Sequence, residues 1–319
     1  MKTWNRLAAV LLALTLPACA TIYNPATGNR ETLLSTPVEV AVGKIAKTEM
    51  GLFSLKMGKV PDAQFSRVQQ IGQRIAQVSD RQDVAYQFGV IQDKTLNAFT
   101  LPGSTIYVYT GLLDRADEDE LACVLGHEMG HAAARHTSKQ LQADLGFSLL
   151  VGVAGAAAGS PGALRVANSM YGLLRNGYSR KDELEADRMG IRYAVRAGYN
   201  PEGMITFFEK MLKENPEDAM DKASVWQRTH PLTSDRIAQA KKEIEKLRQR
   251  RFCPVCGRIY ESNEKFCERE GAELKRISIP RLNAKMERFC PKCGSIYPAR
   301  TKFCEKDATP LKEREAQES

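Results

Sequence analysis

The sequence predicts an α+β fold that is mostly helical, with a small antiparallel sheet, followed by two small repeated modules. Apolar residues recur with a helical period through most of residues 37–250. In one stretch, residues 84–110, apolar residues instead alternate as they do in strands, and Pro102-Gly103 predicts a turn there. Residues 251–274 recur at 288–311. With 319 residues, 43% of them hydrophobic, the chain can bury one large core beside smaller units.

The first 18 residues have the features of a lipoprotein signal peptide. Lys2 and Arg6 precede an apolar run, residues 7–16, which is too short to span a bilayer. The run ends in LPAC, which is similar to a bacterial lipobox and predicts acylation at Cys19. An ordinary signal peptide is the alternative. We therefore expect a lipidated tether over residues 19–36 and a periplasm-facing position in the bacterial envelope. Because Ala20 rather than aspartate follows the cysteine, we expect the outer membrane.

The net charge of +8 falls by only two when the signal peptide is removed. A surface charge of this size is ordinary for a soluble domain and is weak support for nucleic-acid binding, so no nucleic-acid partner is expected.

Helices are predicted at 37–56, 62–79, 180–197 and 233–250, and a strand at 84–92. Asp117 and Glu120 predict a capping box at the start of a further helix, and Asn200 with Pro201 predicts another start. Residues 145–159 are apolar and small but too short to cross a membrane. Close helix packing is the first interpretation of this run, and a hairpin touching a membrane or covering a site is the alternative.

The helix after Asp117 carries the sequence HEMGH. Because a helix advances about 100° per residue, His127 and His131 lie on one face and can bind one metal ion. Neutral imidazoles are good zinc ligands, and Glu128 lies at the edge of the same face. Glu128 is suited to take a proton from a water activated by the metal. The pattern predicts a catalytic zinc site.

The third ligand is not settled by this motif. In metzincins a histidine follows six residues after the second histidine, with a glycine midway, but Thr137 and Ala134 occupy those positions. His136 is therefore expected to be a helix-end cation or to form a core hydrogen bond. A carboxylate from the later ELEAD stretch is the alternative ligand. There Glu183 can bind the metal and Asp187 can orient a ligating imidazole, while Glu185 is expected to face solvent.

These motifs together resemble the gluzincin family of CAAX prenyl endopeptidases and HtpX-like proteases, in its periplasmic lipoprotein branch. The resemblance covers about residues 24–245 and rests on NPATG, NAFTLPG, HEMGH, ELEAD, AGYNP and THPLTSDRI. It implies a gluzincin-type domain over 37–250, with His127, His131 and Glu183 as zinc ligands and Glu128 as base. It also implies that the strand near Asn97 and Ala98 pairs with the substrate backbone.

The THPLTSDRI stretch leaves two questions open. His230 is expected either to stabilise the oxyanion or to occupy the open zinc position and keep the enzyme latent. Arg236 is expected to bind substrate or developing charge, or to pair with a carboxylate.

The tail contains two zinc-ribbon-like repeats, residues 251–275 and 288–311, joined by a basic linker, 276–287, and followed by residues 312–319. Each repeat has the pattern C-x2-C-x10-C-x2-acid, which predicts one structural zinc ion per repeat. The candidate ligands are Cys253, Cys256, Cys267 and Glu270 in the first repeat, and Cys290, Cys293, Cys304 and Asp307 in the second. Disulfides are the alternative in an oxidising compartment, although three cysteines per repeat cannot all pair internally.

The sequence thus predicts a lipid-anchored zinc metalloendopeptidase that cleaves extended segments of unfolded or misassembled envelope proteins. A latent chaperone-like factor capped by His230, or an adaptor built on the ribbons, is the alternative.

Overall fold

The computed structural model describes residues 19–25, 27–52, 56–57, 60–214, 228–231, 234–279, 286–297, 301 and 303–315. The signal peptide and residues 280–285 of the linker lie outside the described residues, so the predictions made there stay predictions. The fold class is confirmed: the large unit is mostly helical with a small sheet.

A β-hairpin precedes the first helix, in the region where a tether was predicted. Strand β1 (Cys19–Tyr23) pairs antiparallel with β2 (Arg30–Leu34). Two helices follow: α1 (Thr36–Glu49) and α2 (Asp62–Ala76). Helix α1 is shorter than predicted, ending at Glu49.

The central sheet is mixed rather than wholly antiparallel. Its order is β3 (Lys56–Met57), β4 (Gln87–Ile91), β6 (Thr105–Tyr109) and β5 (Ala98–Leu101). Strands β5 and β6 form the predicted antiparallel hairpin, but β3, β4 and β6 run parallel. Alternation of apolar residues reveals a strand and its faces, but not the neighbour with which it pairs. Strand β5 lies at the edge of this sheet.

The described part of the large unit also contains helices α3 (Thr110–Leu113), α4 (Glu118–Ala133), α5 (His136–Leu145), α6 (Phe147–Ala154), α7 (Pro161–Asn176), α8 (Arg180–Arg196), α9 (Gly203–Glu214) and α10 (Ser234–Arg248). The capping box of α4 forms as predicted, since the amide of Glu120 donates to Asp117 and the amide of Asp117 donates to Glu120. Helix α9 begins two residues later than expected, and the side chain of Asn200 accepts from the amide of Glu202.

One face of the apolar run at 145–159 packs into the core. Leu150 and Val153 of α6 are buried with Val42 of α1, Phe99 of β5 and Met170 of α7. Within the described residues, no helix combines the length and the apolar character that crossing a membrane requires. The contacts are those of the helix-packing interpretation.

The two repeats have the same strand topology. The first contains β7 (Arg251–Phe252), β8 (Ile259–Tyr260) and β9 (Lys275–Arg276), and the second contains β10 (Met286–Phe289), β11 (Ile296–Tyr297) and β12 (Lys312–Glu315). In each, the first strand pairs antiparallel with the other two. Chain contacts divide the protein into Met1–Ile277 and Ser278–Ser319. The first repeat therefore belongs to the same compact unit as the helical domain.

Candidate active site

Glycines bring the two site helices into direct contact. A β-carbon on Gly126 of α4 would lie 2.9 Å from the carbonyl oxygen of Gly190 in α8, and one on Gly130 would lie 2.8 Å from that of Ala186. On Gly190 it would meet the backbone nitrogen of His127 at 2.7 Å. The backbones of α4 and α8 thus pack against each other without intervening side chains. This close approach places the ELEAD stretch beside HEMGH.

The structure brings His127, His131, Glu183 and His230 together, with one potential ligand atom of each within 4.8 Å of the others. The Nε2 atoms of His127 and His131 are 3.0 Å apart, and Glu183 Oε1 lies 3.3 Å from the latter. Ligands about 2.0–2.1 Å from a tetrahedral zinc ion are separated by about 3.3 Å. The spacing of these donor atoms therefore fits zinc.

The contact made by Nδ1 of His127 determines which of its two ring nitrogens remains to bind a metal ion. His127 Nδ1 lies 2.8 Å from Asp187 Oδ1. Burial alone would raise the pKa of the Asp187 carboxyl, but the Arg236 charge and the His127 contact hold it below its usual range. An ionised carboxylate only accepts, so Nδ1 carries a proton and Nε2 is the nitrogen left to bind a metal ion.

Arg236 is fully buried and pairs with carboxylates. Its Nε and Nη2 donate to the two oxygens of Asp187, each at 2.7 Å, and its Nη1 lies 2.6 Å from Glu183 Oε2. Burial would raise the pKa of Glu183, but Arg236 and the neighbouring His230 and His127 hold it well below its usual range. Of the two roles left open for Arg236, these contacts are those of carboxylate pairing.

Glu128 is held by a residue that the sequence did not single out. Thr100 Oγ1 lies 2.7 Å from Glu128 Oε2 and 3.0 Å from its main-chain oxygen. Thr100 comes from β5, so the edge strand of the sheet reaches the site helix. Its position two residues after Ala98 is the only sequence signal that could have identified it.

Tyr178 is a second residue that sequence reasoning missed. Its ring stacks on His131 with centroids 3.9 Å apart, and its hydroxyl hydrogen-bonds that of Thr137 at 2.8 Å. Thr137 in turn donates to the main-chain oxygen of Thr100 at 3.1 Å. Nothing in the sequence connects positions 100, 137 and 178.

Burial lowers the pKa of His131 well below its usual range, so this imidazole is neutral, as a metal ligand must be.

His230 lies among the predicted ligands His127, His131 and Glu183. Its Nδ1 is 3.2 Å from His127 Nε2 and 3.0 Å from Glu183 Oε1, and its Nε2 is 3.4 Å from Glu128 Oε1. Burial would lower the pKa of His230, but Glu183 and Glu128 raise it above its usual value. His127, Glu128, His131, Glu183 and His230 each expose 1% or less of their surface. The site in this conformation is closed to a substrate.

Asn97 and Ala98 lie where β5 meets the 228–231 segment. The amide of Tyr109 donates to the main-chain oxygen of Asn97, so by the alternation of an antiparallel ladder Ala98 and Thr100 direct their main-chain groups away from β6. Thr229 Oγ1 also donates to Asn97 Oδ1 at 3.3 Å. The segment that carries His230 thus contacts the residue that precedes β5.

Glu185 is not solvated as expected. It is 2% exposed, and its Oε2 lies 3.3 Å from Nε2 of His136. The prediction failed because His136, at the start of α5, packs against the side of α8 that carries Asp182 and Glu185. His136 itself forms a core contact, as the sequence indicated.

The two repeats each gather cysteine sulfurs. The Sγ–Sγ distance is 3.7 Å for both Cys256–Cys267 and Cys293–Cys304. Thiolates about 2.3 Å from a tetrahedral zinc ion stand about 3.8 Å apart, whereas a disulfide is about 2.05 Å long. Asp307 joins the second group, but Glu270 lies outside the first and contacts Arg269 at 3.2 Å.

Comparison with known proteins identifies the family. Residues 62–244, more than half of the chain, match peptidase family M48. The chain belongs to peptidase family M48. Residues 253–306 match the double zinc ribbon. The predicted metalloprotease family and the ribbon pair are therefore confirmed, whereas the lipoprotein branch stays a prediction.

The relatives of this M48 chain include named proteases. It is 34% identical over 190 residues to the mitochondrial metalloendopeptidase OMA1 of Schizosaccharomyces pombe. The aligned region covers 59% of this chain and 56% of that protein. It is 35% identical over 129 residues to the metalloprotease LoiP of Escherichia coli, with coverages of 40% and 51%. It is 27% identical over 193 residues to the beta-barrel assembly-enhancing protease of Escherichia coli, with coverages of 57% and 39%. The chain thus spans little more than half the length of these relatives, or less.

Proposed function

We propose that this protein is a zinc-dependent metalloendopeptidase that hydrolyses peptide bonds in extended segments of unfolded or misassembled envelope proteins. One observation carries the proposal. His127, His131 and Glu183 direct acceptor atoms at one point, and Glu128 lies beside them with Thr100 bonded to its carboxylate. This is the donor set of a catalytic zinc with a neighbouring base.

The residues divide the chemistry among them. When bound, zinc supplies Lewis-acid activation of a water molecule and of the substrate carbonyl. Glu128 accepts the proton of the attacking water and delivers a proton to the leaving amine. Thr100 orients the carboxylate of Glu128 for both transfers. Asp187 and Arg236 keep the His127 ring in the tautomer that presents Nε2.

The edge of β5 supports an extended substrate. The main-chain groups of Ala98 face away from β6 there, two residues before Thr100, whose hydroxyl contacts Glu128 and whose main-chain oxygen already accepts from Thr137. A peptide added to this edge would form main-chain hydrogen bonds without regard to its sequence, which suits a protease of unfolded chains. Folded proteins would not offer such a strand.

The cellular setting rests on the N-terminus and on the relatives. Residues 1–18 and Cys19 have the features of a lipoprotein signal, and one relative is named a beta-barrel assembly-enhancing protease. We place the protein in the bacterial envelope, with substrates among misassembled outer-membrane proteins. Metabolic labelling with palmitate that persists in a Cys19→Ser variant would contradict the anchor.

The same site also supports a second proposed function, in which the protein is latent. His230 lies against both His127 and Glu183, and the segment 228–231 contacts the side chain of Asn97, next to β5, through Thr229. The segment thus occupies the ligand cluster and touches the residue beside the strand where a substrate would pair. In this state the protein would bind clients or partners without cleaving them.

The Glu128→Gln variant tests the catalytic proposal. It keeps the size and the Thr100 contact of the side chain but removes the base, so zinc content stays unchanged while cleavage of denatured casein falls by about 10²–10⁴-fold. Undiminished cleavage by a zinc-loaded Glu128→Gln protein would rule the mechanism out.

A further inference from the structure

His136 is a buried histidine that the proposed chemistry does not use. Helix α4 ends where Arg135 adopts a left-handed conformation, with φ of 57°, and α5 begins at the next residue. This turn brings His136 back onto the preceding helix. Its Nδ1 lies 2.9 Å from Nδ1 of His131, and it is only 2% exposed.

The other nitrogen of His136 faces two carboxylates of α8. Its Nε2 lies 3.3 Å from Glu185 Oε2 and 3.4 Å from Asp182 Oδ1. By spacing alone, His136, Asp182 and Glu185 form a second group able to hold a metal ion. Two interpretations of the cluster therefore compete: a second metal site, or a hydrogen-bonded support for His131.

The tautomers decide between these interpretations. A His131 that offers its Nε2 lone pair to zinc must carry its proton on Nδ1. Nδ1 then donates to His136, whose own Nδ1 must be the acceptor. A neutral His136 that accepts at Nδ1 carries its proton on Nε2, and a protonated nitrogen cannot bind a metal. The three-residue cluster and the His131 site therefore cannot both bind metal through these nitrogens.

We propose that His136 is a positioning residue of the zinc site, holding His131 through Nδ1 and held in turn by Glu185 and Asp182. The inference rests on the proposed function, since it presumes zinc on His131. The two ligand histidines are then supported differently. Asp187 holds Nδ1 of His127 directly, whereas Nδ1 of His131 reaches a carboxylate only through a second imidazole. Loss of such an outer partner lowers metal affinity by about 10–100-fold.

The test compares His136→Leu with His136→Asn in the full-length protein. Leucine fills the space without an acceptor, whereas the asparagine oxygen can replace Nδ1 as acceptor. Zinc affinity is measured by competition with a chelator, and Tm is measured with and without zinc. We expect a zinc Kd weakened by about 10–100-fold and a smaller zinc-induced rise in Tm for His136→Leu, with most of both restored by asparagine. Tyr86→Phe, which removes the buried Ser79 hydrogen bond away from the site, should leave the zinc Kd unchanged.

The alternatives give different results. A purely structural His136 would lower the Tm of the zinc-free and zinc-loaded forms equally, which overturns the inference. A second metal site would make His136→Leu lose one whole ion while the remaining zinc keeps its Kd, and this also overturns it. If the wild-type protein binds no more zinc than a His127→Ala variant, this site holds no zinc and the proposed function fails instead.

A second pair of variants covers the case in which His136→Leu does not fold. Asp182→Asn with Glu185→Gln keeps oxygen acceptors for Nε2 of His136, whereas alanine at both positions removes them. The double alanine variant should bind zinc several-fold more weakly than the double amide variant. Equal zinc affinity of the two would overturn the role of His136.

Discussion

Gly130 of helix α4 contacts the backbone of Ala186 in α8 so closely that a β-carbon would lie 2.8 Å from its carbonyl oxygen and 2.9 Å from its Cα. No side chain of α8 could move aside to relieve such a contact, because the neighbours are main-chain atoms. The distance between the imidazoles on α4 and Glu183 on α8 therefore depends on glycine at this position.

The Gly130→Ala variant should lose both stability and zinc affinity. Overpacking at a tight contact costs about 1–3 kcal/mol, against about 1 kcal/mol that alanine gains over glycine in a helix. Thermal unfolding and chelator competition measure the two effects. Gly172→Ala in α7 is the matched control, since nothing lies within 4 Å of its β-carbon. It should be neutral or stabilising, and the same result at position 130 would contradict the packing argument.

Replacement of Arg236 should be more damaging than that of an exposed cation. Arg236→Leu leaves Glu183 and Asp187 buried without their counter-charge, and breaking a buried pair in this way costs about 3–5 kcal/mol. Lys241→Ala removes an exposed pair with Glu209 and should change the free energy of unfolding by less than about 1 kcal/mol. Chemical denaturation measures both variants. A similar small change for both would show that Arg236 is not needed to balance the carboxylates.

The zinc-free protein should be sensitive to acid through the same carboxylates. The folded-state pKa values of Glu183 and Asp187 are lowered, so their contribution to stability is complete above their unfolded values of about 3.9–4.3 and is lost as pH falls through the folded values. Tm of the metal-free protein should therefore fall steeply below about pH 4. Asp187→Asn should have a shallower slope there, whatever its absolute stability, and an unchanged slope would contradict the assignment.

The sequence predicted the parts of the site that lie within one helix. That His127 and His131 share a face, with Glu128 at its edge, follows from helical geometry, as does the shared face of Glu183 and Asp187. The ligand role of Glu183 came from the family resemblance. The contact between these helices did not follow, because Gly126 and Gly130 in a helical pattern indicate only weak helix propensity.

Contacts between distant segments were also beyond prediction. Thr100 and Tyr178 reach the site from a strand and from a helix start, and no local pattern connects them. Glu185 was misplaced because the left-handed Arg135 turns the chain, so that His136 covers a helix face that periodicity assigns to solvent. Helical periodicity describes one element and not the element that packs on it.

His230→Ala should raise activity if the protein is latent. Removal of the imidazole frees the position between His127 and Glu183 and leaves the 228–231 segment with fewer contacts to the site. Casein digestion should then increase over the wild-type rate while zinc stays bound. Lower activity at unchanged zinc content would instead indicate the transition-state donor. Absence of digestion in both proteins, under conditions that hold zinc, would favour a chaperone-like factor.

The ribbon cysteines should account for two zinc ions beyond the catalytic one. Cys253→Ser with Cys256→Ser removes two of three sulfurs from the first group, and Cys290→Ser with Cys293→Ser does so in the second. Each pair should lower the metal content of the full-length protein by one ion, measured by atomic emission after dialysis. Cys123→Ser is the control, because this thiol is buried in α4 and belongs to neither group.

Since Asp307 lies with the sulfurs of the second group whereas Glu270 lies outside the first, Asp307→Ala should speed zinc release to a chelator and Glu270→Ala should not. Unchanged zinc content in both serine pairs, with a mass deficit of two hydrogens per ribbon in the wild-type protein, would establish disulfides instead.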